Sequence, residues 1–159
     1  MLALLAVLRV PVARIVAVVA LLGLAACEPV RFDDTFGGAR GDGAVVVALL
    51  VPRDSPDAQE ASLASDLEAA ARLAVRDLSG VEVDLRVYGT GGKPAQAREA
   101  ALNAVSDGAG IIVGPLRAQT ANAVAVATRD RGVNVLSFSN NATIAGGNHF
   151  ILGQTFGTT

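Results

Sequence analysis

Few side chains in this 159-residue sequence are equipped for covalent or metal chemistry, and they do not form a set. There is one cysteine, Cys27, and one histidine, His149. A single thiol cannot close a disulfide within the chain, and one Cys with one His is two ligands short of a zinc site unless carboxylates are brought in. No G-x-S-x-G nucleophile turn is present. Gly92-Lys93 is not part of a phosphate loop, because Val87 stands where its first glycine belongs and Pro94 where its hydroxyl belongs. Gly108, Gly110 and Gly114 miss the G-x-G-x-x-G spacing and precede an apolar run instead of following one. No catalytic residue, metal or cofactor is expected, and His149 reads as structural.

The remaining chemistry is recognition. Ser137, Ser139, Asn140, Asn141 and Thr143 cluster after one apolar run, and Pro115, Arg117, Gln119 and Thr120 after another. Hydroxyls, carboxamides and a guanidinium can hold a small polar ligand by donating to a carboxylate or sugar and, the guanidinium aside, accepting from an amine. The competing assignment is local: Ser and Asn also cap helices and close turns. Thirteen Lys and Arg stand against 15 Asp and Glu. The basic residues are dispersed among acids, so no patch suits a phosphate backbone and nucleic acid is excluded as a partner.

Such side chains need elements to position them. Ala44 to Val51 (AVVVALLV) is an uninterrupted apolar run of strand length, suited to a strand covered on both faces. Residues 58 to 78 place Leu63, Leu67, Ala70, Ala74 and Leu78 on one helical face, ending before Gly80. Val81, Val83, Leu85 and Val87 alternate with charged residues, which marks a strand at a sheet edge. The cycle repeats: a helix from Pro94 to about Asp107, a strand over Ile111–Val113, a helix from Gln119 to Arg131, a strand over Val133–Phe138, and a fifth strand from His149 to Leu152. Strands alternating with helices specify a doubly wound, mostly parallel α/β sheet, Rossmann-like or flavodoxin-like. A central first strand beside an edge-like second gives the order 2-1-3-4. Ligands then collect at the carboxyl ends of the strands, where Pro52–Ser55, Gly89–Lys93, Gly114–Thr120 and Ser137–Thr143 meet.

The amino terminus carries a different message. Arg9 and Arg14 precede ten uncharged residues, Ile15 to Leu24, and then Ala25, Ala26 and Cys27. That is the pattern of a secretory leader over residues 1–26, with an apolar core too short to cross a bilayer. Its two arginines also count against residues 2–24 as a single transmembrane anchor. Leu24-Ala25-Ala26-Cys27 resembles the bacterial lipobox, which implies lipid attachment at Cys27 and explains its solitude better than burial as an apolar residue. Glu28 after the cysteine, by resemblance to enteric lipoproteins, does not impose retention at the inner membrane. The protein is therefore expected in the bacterial cell envelope, lipid-anchored, facing the periplasm, and at the outer membrane in preference to the inner. Residues 27–43, with four glycines and a proline, read as a flexible tether, and their Arg-Gly-Asp at 40–42 as coincidence. Without the leader the charge is −4, from 11 basic and 15 acidic residues.

AVVVALLVPRD, VEVDLRVYGTGG, GAGIIVGPLRAQTANAVA, GVNVLSFSNNATIAGGNHF and ILGQTF together resemble the amino-terminal lobe of the type I periplasmic binding fold over about residues 44–156. The likeness is strongest to penicillin-binding protein activators, lipoproteins related to leucine-binding proteins of ABC importers. It implies one lobe, residues 44–159, of a two-lobed clamp, with the sequence stopping at Thr159 where the second lobe should begin. Amino-acid-binding members use small hydroxyl residues after the third and fourth strands. The matching stretches here are Arg117-Ala118-Gln119-Thr120 and Ser139-Asn140-Asn141, where Ala118 lacks a donor and the asparagines are bulkier. That departure favours a non-enzymatic regulator touching a bifunctional penicillin-binding protein. The alternative is the substrate-binding component of an ABC importer for amino acids or related solutes.

Overall fold

The computed structural model describes residues 43–154. The leader, Cys27 and the tether as far as residue 42 lie outside the described residues, as do residues 155–159. Five strands form one sheet in the order β2-β1-β3-β4-β5: β1 Val45–Val51, β2 Val83–Gly89, β3 Ile111–Val113, β4 Asn134–Ser137 and β5 His149–Ile151. Every pairing is parallel. The expected order holds, with β5 added outside β4. β1 is central because its residues suit no wetter place: Ala48, Leu49, Leu50 and Val51 are all at most 1% exposed.

Three helices make the crossovers: α1 Ala58–Asp77, α2 Pro94–Ser106 and α3 Ala118–Thr128. α2 and α3 lie together on one face of the sheet. Ala97, Ala101, Ala104 and Val124 are buried there against Ala48, Leu50, Ile112 and Val135. Alanine at the helix contacts lets the backbones approach the strands closely. Edge strand β2 is tied to the end of α2, with Tyr88 Oη donating to Asp107 Oδ2 at 2.8 Å and Arg86 Nη1 to the Asp107 carbonyl at 2.8 Å.

Among the described residues, α1 is the helix that packs on the other face, over β1 and β2. Parallel register aligns Val87, Leu49, Val113, Leu136 and Phe150 in one transverse row on that face. Among the described residues, the row is covered over β2, β1 and β3 and open at its β5 end, where Phe150 is 49% exposed.

The expected inward stripe of α1 is wrong in phase. Glu60 and Ala64 are the buried positions, with Leu67 and Ala71 beside them, while Leu63 and Leu78 are exposed. Two features turn the helix: Ala64 gives a closer approach to β1 than a leucine could, and the Glu60 carboxylate finds its partners only inward. α3 is shorter than expected. Thr128 Oγ1 donates back to the Val124 carbonyl at 3.0 Å, and the chain tightens into a 3₁₀ turn, Arg129–Arg131, closed by Gly132 at φ 68°. A second 3₁₀ turn, Ala142–Ile144, follows β4, where the sequence pattern suggests only a polar loop.

Candidate functional site

The sheet order reverses between β1 and β3, so the chain leaving β1 enters α1 on one face and the chain leaving β3 enters α3 on the other. The crevice between those exits is where open parallel sheets hold ligands. Its floor is fixed by Gly114-Pro115. Gly114 has φ 91°, and a β-carbon there would collide with the Leu50 carbonyl, so the position admits only glycine. Its N–H donates to the Leu136 carbonyl at 2.8 Å, and Phe138 N–H donates to the Pro115 carbonyl at 3.0 Å. The loop is thereby locked to the ends of β1 and β4.

Arg117 follows at the N-cap of α3 and makes no capping bond with its side chain. It reaches across the crevice instead. Its Nε donates to Glu60 Oε1 and its Nη2 forms an ion pair with the same oxygen, joining the β3 exit to the first turn of α1. Glu60 Oε2 accepts from Ser55 Oγ at 2.8 Å. The loop after β2 closes over the same carboxylate: Gly92, at φ 70°, lies where a β-carbon would come within 2.6 Å of Glu60 Oε2. Three rim loops therefore converge on one buried acid.

The sequence expectations did not include Glu60, and its spacing disguises it. Asp57-Ala58-Gln59-Glu60 has the D-x-x-E form of a helix start, in which the glutamate would fold back on the cap. Asp57 does cap α1, its Oδ1 accepting from the N–H groups of Gln59 and Glu60 at 2.8 and 3.3 Å. Glu60 turns away to Ser55 and Arg117.

Beside this bridge lies a cavity of about 370 Å³ lined by Leu116, Arg117, Ala118, Gln119, Ser139 and Asn140. Four of the eight candidate ligand residues thus share one hollow: Arg117, Gln119, Ser139 and Asn140. The other four do different work. Pro115 is fully buried in the floor. Thr120 is 3% exposed, and its Oγ1 donates to the Arg117 carbonyl at 2.8 Å, holding the turn that presents Arg117. Asn141 takes the local assignment, with Oδ1 accepting from Thr143 N–H at 3.0 Å as the cap of the 3₁₀ turn. Ser139 lines the hollow but is itself only 3% exposed, and its Oγ accepts from Asn141 N–H at 3.1 Å.

Ser137 faces the interior. Its hydroxyl donates to His149 Nε2 at 2.8 Å, while His149 Nδ1–H donates to the Ile144 carbonyl at 2.8 Å. A Ser-His pair invites a nucleophilic interpretation. Here the serine is 0% and the histidine 2% exposed, so no substrate can reach the hydroxyl. Burial holds the imidazole below its ordinary pKa of 6.5, against the opposing pull of the Ile144 carbonyl. The histidine is a neutral clamp between β4 and β5. A further hollow of about 420 Å³ lies on the flank of α3, lined by Asn122, Arg129 and the Gly146–Asn148 turn among others, at the amino end of β5.

The arrangement at the rim can bind, orient and discriminate.

Comparison with known proteins follows the same line. None of the curated proteins compared with the chain matches it. Among solved structures, the branched-chain amino acid transporter substrate binding protein LivJ from Streptococcus pneumoniae, in complex with isoleucine, superposes with a TM-score of 0.61 at 18% identity, over 69% of this chain and 33% of that one. An amino acid ABC transporter substrate-binding protein from Pseudomonas fluorescens gives 0.60 at 20% identity, over 70% and 31%. A solute binding protein of an ABC transporter from Rhodopseudomonas palustris, in complex with 3,4-dihydroxybenzoic acid, gives 0.56 at 19%, over 64% and 29%. At these identities the likeness is one of fold, and the chain spans about one third of the length of those proteins. The sequence profile of the periplasmic binding protein family matches residues 44–159, and the chain belongs to that family.

Proposed function

We propose that this chain supplies a solute-recognition lobe outside the cytoplasm, as the substrate-binding component of an ABC importer for amino acids or related small solutes. The observation that carries the proposal is the cavity at the sheet's switch point, where Arg117, Gln119, Ser139 and Asn140 converge. Fold neighbours that are ABC transporter substrate-binding proteins support it. The protein acts by binding, without chemistry of its own. The lipobox-like run ending at Cys27 supports anchorage by acyl chains to a membrane of the bacterial envelope, facing the periplasm; an importer component belongs at the inner membrane, and the outer-membrane address that Glu28 allows belongs with the second function below. Among the described residues, no helix is long and apolar enough to cross a membrane.

Mass action provides the test, since a ligand that binds only the folded state raises its melting temperature. The chain is screened by thermal shift against amino acids and small polar acids at up to about 10 mM, a range wide enough to register weak binding. A saturable rise that is lost in Asn140→Ala supports the proposal, and no rise with any solute refutes it.

A second function draws on Ala118 and Asn140, which line the cavity where the amino-acid-binding branch carries small hydroxyl residues. They favour a penicillin-binding protein activator, whose partner is a bifunctional penicillin-binding protein. Co-purification with such a synthase, together with stimulated glycan polymerisation and no solute-dependent stabilisation, would select this second function.

A further inference from the structure

We infer that Glu60 is a positioning residue that presents Arg117 to the cavity, so that this wall of the site recognises an anionic group, a carboxylate above all, on the solute. The inference rests on the solute-binding function proposed above and names the chemical class of its ligand.

The side chain of Glu60 is 11% exposed and that of Arg117 60%. A buried acid therefore anchors an exposed base. A guanidinium offers five N–H groups in a rigid planar fork. Glu60 Oε1 accepts from Nε and pairs with Nη2, which leaves the Nη1 protons for another acceptor. Those protons belong to a residue that lines the cavity.

Glu60 is itself held from two sides, by the Ser55 hydroxyl at 2.8 Å and by the close approach of Gly92. Arg117 thus has little freedom to follow a ligand, and its planar fork is set before the ligand arrives. An entering anion need not displace Glu60. Doing so would strand a buried carboxylate without its cation, which proteins avoid. The rest of the lining agrees with this polarity: Gln119 and Asn140 can donate to an anion, and among the described residues no Asp or Glu lines the cavity to repel one or to pair with an ammonium group. An ion pair serving only to tie α1 to the β3 exit would be indifferent to a ligand's charge.

The test uses the full chain, labelled with ¹⁵N, and two probes of the same shape, butyrate and butyramide. Butyrate is expected to shift the Arg117 Nε–H signal and the Gln119 and Asn140 amides saturably, with butyramide weaker by at least about tenfold, as loss of a charged hydrogen bond requires. Arg117→Gln should abolish the preference. Glu60→Gln keeps the arginine and its charge. It should release the Arg117 Nε–H signal from its distinct position and weaken butyrate by at least about threefold, with the remaining amide spectrum unchanged. If Glu60→Gln does not fold, Ser55→Ala loosens the same carboxylate and should act in the same direction.

Equal response to the two probes, or a preference that survives Arg117→Gln, overturns anion recognition while leaving the solute site in place. Undiminished butyrate binding in Glu60→Gln, or in Ser55→Ala where Glu60→Gln is unfolded, overturns the positioning role. Absence of any shift at Gln119, Ser139 or Asn140 with either probe overturns both this inference and the cavity as a solute site.

Discussion

His149 shows how one side chain can couple the stability of this lobe to acidity. Its imidazole is buried, bonded at both nitrogens, and held below its ordinary pKa chiefly by burial. The unfolded chain therefore takes up a proton before the folded one does. The stability that depends on neutral His149 is complete above about pH 6.5 and falls as pH drops towards the lowered folded value, by at most about 1.4 kcal/mol per pH unit. Urea denaturation at pH 7.0 and 5.5 should show this fall, and His149→Gln should be flatter across the same interval while less stable at pH 7. Gly92 and Gly108 provide a second comparison. Both have positive φ, but a β-carbon at Gly108 meets open space and one at Gly92 meets Glu60. Gly108→Ala should cost about 1 kcal/mol by conformation alone. Gly92→Ala should cost at least about 1 kcal/mol more, because it also disturbs a buried acid.

At the scale of elements, the phase of α1 is the sharpest point. Its true inward face predicts that Ala64→Asp, which buries an unpaired carboxylate, costs several kcal/mol, whereas Leu63→Asp on the outer flank costs less than about 1 kcal/mol. Chemical denaturation of the two variants checks this, and the opposite ranking would restore the leucine stripe. Strand order and helix placement were legible because β1 is apolar throughout and β2 alternates, two patterns tied directly to central and edge positions. The phase of α1 was not legible. Alanine and leucine recur at several helical spacings there, and the decisive residue is a glutamate that hydropathy assigns to water. The site was half legible for a related reason. Polar residues after β3 and β4 announce a rim, but only the folded backbone separates Ser139 and Asn140, which line the hollow, from Ser137 and Asn141, which serve the scaffold.

On the scale of the whole molecule, the two faces of the sheet are unequal. Among the described residues, α2 and α3 close one face, while α1 leaves the Leu136–Phe150 end of the other uncovered. An apolar fluorophore such as anilinonaphthalene sulfonate should bind the folded chain there, and Phe150→Lys should reduce its emission without unfolding the protein. Mass spectrometry of the membrane fraction should find an acylated peptide beginning at Cys27, and a soluble chain retaining residues 1–26 would remove the anchor. The all-parallel pairing also bears on how the lobe first forms. No two neighbouring strands can nucleate through a tight hairpin; each must wait for its crossover helix, so contacts between sequence-distant residues dominate and folding is expected to be slow for a domain of this size. β1, the most apolar strand, is synthesised before all of its partners. From then until β2 and β3 arrive it is an unpaired sticky segment, which makes a holding chaperone during export most valuable in that interval.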